Sequence, residues 1–226
     1  MSKTVIVSSA LLILLCTAAA VSPASAGEAE IYCTVKDRSV PATIVGSGLI
    51  KGTPGDDVIV GSAKRDRIYG YGGDDMICGM AGNDLLVGGA GNDTLVGDDG
   101  PPALGTNGDN NDTLRGNMGD DELYGMAGDD IMAGGNGNDR IAGMGGDDTI
   151  RGGPGDDMLY GGPGNDRVHG QAGDDTLYGN FDDDRLFGGP GDDWHHGGNP
   201  SVIQAPPEDV DLCQDNKGTN TYTACD

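Results

Sequence analysis

A chain of 226 residues with 43 glycines, two Phe and one Trp has little material for an ordinary apolar core, because glycine buries no side chain and costs backbone entropy when ordered. Its formal charge of -24 argues against nucleic acid and anionic membrane surfaces, which attract Lys/Arg-rich faces, and invites cations instead. Collagen is excluded because glycine does not recur every third residue, and composition alone would fit an acidic disordered chain.

Residues 1–26 read as a secretory signal peptide. Lys3 gives the positive start, an apolar run follows from Val5 to Val21, and Ala24-Ser25-Ala26 supplies a small-x-small cleavage site. No other segment is long and apolar enough to span a bilayer, so the chain is expected to be secreted, with no membrane span. Residues 27–51 contain the β-prone stretch Ala42 to Val45 and are predicted to form an N-terminal cap, since stacked coils need covered ends. Cleavage after Ala26 leaves Cys33, Cys78, Cys213 and Cys225. An even number in an exported chain suggests two disulfides, in one of three connectivities. Proximity favours Cys213 with Cys225, leaving Cys33 to tie the cap to Cys78. Without a C-x-x-C pair, zinc is disfavoured.

From Gly52 to His196 the sequence repeats every nine residues, as in Gly152-Gly-Pro-Gly-Asp-Asp-Met-Leu-Tyr160. Units begin at 52, 61, 70, 79, 88 and then, after an insertion at 97–106, at 107 and every ninth residue to 188. Such self-similarity decides the architecture before local propensity does. Position one is Gly in all units but one, and position four is usually Gly, which permits the positive φ of a tight turn and lets carbonyls approach a ligand. Position five is Asp or Asn in all but one unit, and position six is Asp in every unit. Positions seven to nine should point outward, inward and outward, with an apolar residue such as Ile59, Leu123, Ile150 or Leu177 in the middle.

One unit therefore makes a turn and a short strand, and two make a coil. Stacked coils would set strands in parallel, roughly 4.8 Å apart, and about seven coils give a rod about 35 Å long. One apolar side chain per nine residues cannot offset the ordering of nine backbones. Calcium supplies the missing stabilisation, because it takes six to eight oxygen ligands from carboxylates and carbonyls. An ion between turns of units n and n+2 would neutralise charge and make its binding energy folding energy.

The pattern Gly-Gly-x-Gly-(Asn/Asp)-Asp-x-(Leu/Ile)-x resembles the RTX, or haemolysin-type, calcium-binding repeat. The resemblance implies an all-β fold: a parallel β-roll solenoid of nonapeptide repeats, two repeats per coil, with small terminal caps. It also implies several calcium ions held between turns by position-six Asp and backbone carbonyls. The residues so assigned are Asp57, Asp75, Asp84, Asp93, Asp112, Asp121, Asp130, Asp139, Asp148, Asp157, Asp166, Asp175, Asp184 and Asp193. Asp66 is left out, because Lys64 and Arg65 place positive charge in its turn. The layout resembles small secreted calcium-binding proteins of actinobacteria more than large RTX toxins.

Unit 107 departs from the pattern at Asn107 and Asn110, and unit 179 at Asp182. Unit 188 ends in Trp194-His195-His196, with a polar residue at the core position, and should terminate a roll that spans 52–197. Residues 198–226 read as a Pro-containing linker followed by a disulfide loop, and the insertion with Asp98, Asp99 and Pro101-Pro102 as a surface loop. Tyr69, Tyr124, Tyr160 and Tyr178 share position nine, where cross-strand packing is a commoner role than glycan binding. His169, His195 and His196 show no convergent fourth ligand for a transition metal.

With no H-E-x-x-H, no G-x-S-x-G and too few residues outside the array for a catalytic domain, an enzyme is not expected. The expected role is a secreted calcium-binding module with a structural function or a cell-surface or matrix partner. The alternative is a calcium-dependent adhesin or an accessory module for an extracellular enzyme. Ice binding is disfavoured because position three carries no Thr row, and an EF-hand because the acidic spacing and glycine content do not fit one.

Overall fold

The computed structural model describes residues 32–35, 38–98, 110–198, 212–214 and 221–222. Strands β1 (Tyr32–Val35) and β2 (Arg38–Pro41) form an antiparallel hairpin, and β3 (Ile44–Val45) and β4 (Leu49–Lys51) follow. Each unit then contributes one strand: β5 (Val58–Ser62), β6 (Arg67–Gly72), β7 (Met76–Met80), β8 (Leu85–Ala90) and β9 (Thr94–Asp98). Beyond the insertion come β10 (Thr113–Met118), β11 (Glu122–Ala127), β12 (Ile131–Asn136), β13 (Arg140–Gly145), β14 (Thr149–Pro154) and β15 (Met158–Pro163). The array closes with β16 (Arg167–Ala172), β17 (Thr176–Phe181), β18 (Arg185–Phe187) and β19 (Trp194–Gly198). The tail adds β20 (Leu212–Gln214) and β21 (Thr221–Tyr222). No helix occurs among the described residues, and thus none long and apolar enough to cross a membrane.

Each strand after the hairpin pairs in parallel with the strand two places on, so alternate units feed two sheets, one nine-stranded from β4 to β20 and one ten-stranded from β3 to β21. This is the predicted parallel β-roll with two units per coil. Successive rungs lie 18 residues apart, as in Ile68↔Leu86, and 28 apart across the insertion, as in Leu86↔Leu114. The roll is longer than its repeat. Strands β3 and β4 lack the glycine-aspartate signature yet pair with β5 and β6, and β20 and β21 extend the other end. A parallel rung needs only extended backbone and an inward apolar side chain, which Ile50 supplies without a repeat turn.

Position eight points inward, as expected. Ile59, Ile68, Ile77, Leu86 and their successors to Leu186 are completely buried, and residues from both sheets merge into one apolar cluster rather than two separate ladders. His195 continues this row and is buried as well. Position nine points away from it, yet Cys78 is only 1% exposed, because the hairpin lies over this outer face. Cys33 and Cys78 form a disulfide with a Cα–Cα distance of 6.0 Å, as predicted. Val60, Val96, Tyr124 and Met126 belong to the same outer cluster.

The glycine roles differ from the expectation. Position-four glycines such as Gly146 adopt positive φ, but position-one glycines do not; the second positive-φ site is position two, occupied by Gly153 and also by Met126, Met144 and Gln171. Position one needs glycine for space. A Cβ on Gly70 would collide with the Asp75 carboxylate and lie 2.7 Å from the Gly88 carbonyl oxygen.

The insertion also sits differently. Gly97, not Asn107, faces the Asp112 carboxylate and the Gly125 carbonyl as the position-one glycine. The extra residues therefore fall within a turn, after Asp98, and not between units. Asp98 ends a strand and is 5% exposed, which corrects its assignment to a surface loop. The signal peptide, the linker and the Cys213–Cys225 bridge lie outside the described residues.

Candidate calcium sites in the turns

Because alternate turns fall on opposite edges of the roll, the position-six aspartates form two columns. Asp57, Asp75, Asp93, Asp121, Asp139, Asp157, Asp175 and Asp193 make one, and Asp66, Asp84, Asp112, Asp130, Asp148, Asp166 and Asp184 the other. All are buried, Asp57 the least at 7% exposure. All fourteen aspartates assigned from the sequence thus occupy equivalent places, and Asp66, excluded by its basic turn, joins them.

Within each column Oδ1 reaches back one coil and accepts the backbone N–H of the preceding aspartate, at 2.7–3.0 Å. Position five does the reverse. The exposed Asp56 accepts the N–H of Asp74 at 2.9 Å, Asp74 that of Asn92 at 2.9 Å, and Asn92 that of Asp120 at 3.0 Å. Neighbouring turns are therefore tied by bonds of opposite sense. This clamp was visible as the Asp/Asn restriction at position five, because both residues offer one short-armed acceptor oxygen and lysine or glutamate does not.

The second oxygen is the unusual one. Oδ2 of Asp75, Asp84, Asp93, Asp112, Asp121, Asp130, Asp139, Asp148, Asp157, Asp166 and Asp175 is buried and accepts no hydrogen bond. A buried acceptor without a partner costs about 1–3 kcal/mol, more if charged, and here the cost recurs on every coil. The first members of the columns differ. Asp57 Oδ2 takes the Thr53 N–H at 2.6 Å and its hydroxyl at 2.9 Å. Asp66 Oδ2 takes the Ser62 N–H at 2.7 Å and its hydroxyl at 2.9 Å, and its Oδ1 accepts from Gly48 N–H.

Burial resists the ionised form of these carboxyls. Desolvation, reinforced by the Asp148 charge, pushes Asp130 up to about 9. Asp112 and Asp148 rise to about 8, again chiefly by desolvation, with Asp98 adding to the first and Asp166 to the second. Asp75, Asp84 and Asp139 reach about 6, where backbone N–H bonds offset part of the desolvation.

A hard divalent cation fits this donor set. It would bind the ionised carboxylates, remove their repulsion and satisfy Oδ2. Among the described residues no three His, Cys, Asp or Glu side chains converge as a metal cluster, so backbone carbonyls must complete the shell. Mixed carboxylate and carbonyl oxygen is calcium chemistry rather than zinc or copper chemistry. The position-one cradle, with carboxylate and carbonyl oxygens converging where a Cβ would stand, is where such oxygens come together.

A family model for the RTX calcium-binding nonapeptide repeat matches residues 51–86, 79–101, 106–141, 133–168 and 160–195. Comparison with curated proteins gives no match.

Proposed function

Because the chain belongs to the RTX calcium-binding nonapeptide repeat family, we propose that this calcium-binding β-roll is secreted, folds when calcium fills its turns, and acts extracellularly through its surface without catalysing a reaction. The observation that carries the reading is the column of buried, unpartnered Oδ2 atoms. A fold that buries like charges on every coil needs a counter-ion to be stable at neutral pH. The residues that would hold it are the position-six aspartates after the first coil, together with turn carbonyls. In the first coil Thr53 and Ser62 already occupy Oδ2, which leaves Asp57 and Asp66 less to offer.

Residues 1–26 support secretion, since calcium is plentiful outside cells and the leader pattern addresses the chain there. Far-UV circular dichroism in chelator and then in millimolar calcium tests the folding step. The spectrum should change from unordered to β-rich, and an unchanged spectrum would overturn the reading.

A further inference from the structure

We propose that the outer face of the nine-stranded sheet binds an extended anionic polysaccharide. The proposal rests on the calcium-ordered roll described above. On strands β4 to β18 the outward positions carry Lys51, Arg67, Arg115, Arg151, Arg167 and Arg185, all exposed, and no acidic residue. The same positions of the ten-stranded sheet, from β5 to β19, carry one cation, Arg140, and one anion, Glu122. Alternate units feed opposite sheets, so the charges of odd and even repeats are sorted onto different faces. In a chain of charge -24, the charged outward side chains of this face are all basic.

Arg167 and Arg185 are direct cross-strand partners, roughly 4.8 Å apart along the sheet. Like charges so placed repel unless an anion lies between them. Arg151 stands on the next strand, opposite His169. Beside this trio His169 and Phe187 stack with centroids 4.6 Å apart and planes 14° apart. They border a shallow hollow of about 500 Å³ that also includes Gln171 and Pro190. A second hollow, of about 670 Å³, is lined by Arg65, Arg67 and Arg115 and, at its turn edge, by Asp84. A sugar ring can lay its C–H face on the flat aromatic ledge while its carboxylate or sulfate takes a guanidinium fork.

The width of the face selects a single polysaccharide chain. Each strand is extended only over positions seven to one, because the chain turns at the positive-φ position two, so the face is about 13 Å across and its midline lies about 6 Å from either acidic edge. Both edges thus lie within the Debye length of about 8 Å at physiological ionic strength, so binding on this face depends on the edge carboxylates being neutralised. A duplex or bilayer, broader than the face, would press its phosphates onto the exposed position-five carboxylates at both edges. Calcium in the turns lowers the remaining opposing field.

The test uses the full calcium-saturated chain against immobilised dextran sulfate, polygalacturonate, neutral dextran and duplex DNA, with circular dichroism in parallel. The expected result is salt-sensitive binding to the sulfated or the carboxylated polymer, the pair identifying the anionic group, and none to dextran. Replacing Arg151, Arg167 and Arg185 together by alanine should weaken it at least tenfold, and Arg140→Ala should leave it unchanged. Should the triple variant misfold, the bound polymer should still protect those three arginines of the parent from phenylglyoxal, and not Arg140. An ordered chain that ignores both polymers, prefers DNA, or binds equally after the triple substitution overturns this proposal alone; the last would mean calcium bridging through the turns. A chain that stays unordered in calcium overturns the proposed function and this proposal with it.

Discussion

Asp130 hands its backbone N–H to Asp148 Oδ1 at 2.8 Å across one coil, while Asp148 Oδ2, equally buried, accepts nothing. One carboxylate thus has a structural oxygen and a spare one. Asp148→Ala removes both. It should cost about 1.5–3 kcal/mol for the lost charged hydrogen bond and reduce the calcium bound at saturation. Asp66→Ala should lower stability through Ser62 and Gly48 but leave bound calcium near the parent value. Equilibrium dialysis of the two variants checks this, and equal calcium losses would contradict it.

The raised carboxyls give the calcium-free chain an inverted response to pH. Folded values of about 6 to 9 lie above the ordinary 3.8, so the folded state binds more protons than the unfolded one. Their contribution to stability is complete below about pH 4 and is lost as pH rises through about 9. In chelator, β-structure should therefore appear on acidification and vanish toward alkaline pH. In calcium the ionised forms are favoured, and the calcium concentration that half-fills the sites of the folded chain should rise as pH falls, because protons compete for the same carboxylates. A chelated chain whose circular dichroism is flat between these limits would refute the burial argument.

Two glycines separated by one residue should respond very differently to alanine. At Gly143 a Cβ would strike the Asp148 carboxylate and the Gly161 carbonyl oxygen, the latter at 2.9 Å. At Gly145 the nearest atom is the Met126 carbonyl oxygen at 3.7 Å, and φ is not positive. Gly143→Ala should cost about 1–3 kcal/mol by overpacking, and Gly145→Ala should be nearly neutral. Melting temperatures in saturating calcium decide it.

The Cys33–Cys78 bridge spans 45 residues, and closing such a loop is worth up to about 4 kcal/mol in the chain-entropy model. Cys78→Ser should release the hairpin to limited proteolysis in calcium while the later coils remain protected. A variant as resistant as the parent near Cys33 would show that apolar contacts with Val60 and Val96 suffice.

Much of this was legible because period and chemistry coincide. The inward row from Ile59 to Leu186 and the aspartate columns recur at fixed positions, and only a parallel stack keeps every such residue in register. What escaped was whatever the repeat does not encode. Ile44 to Lys51 form a further coil through backbone pairing and the inward Ile50, without a glycine-aspartate turn. Gly70 looked like a turn glycine because sequence does not separate a need for positive φ from a need for empty space. Asn107 imitated the start of a unit, which hid the pairing of Gly97 with Asp112. The two-unit coil already sorted units by parity, but the outward cations are divided between position seven, as at Arg67 and Arg167, and position nine, as at Arg115 and Arg151, and so form no row in the linear repeat.

The satisfied carboxylates of Asp57 and Asp66 give ordering a direction. In a stack where each coil touches only its neighbours, the first coil is the expensive one, and later coils add on an existing template. Here Thr53, Ser62 and Gly48 quench the opening pair of aspartates without an ion, and the Cys33–Cys78 bridge pins the adjacent strand β7. If calcium drives ordering as proposed, the N-terminal end is a seed and calcium would serve as the zip that runs from it. Deletions from the far end should shorten the rod coil by coil, while loss of the seed should leave the remaining coils to nucleate unaided.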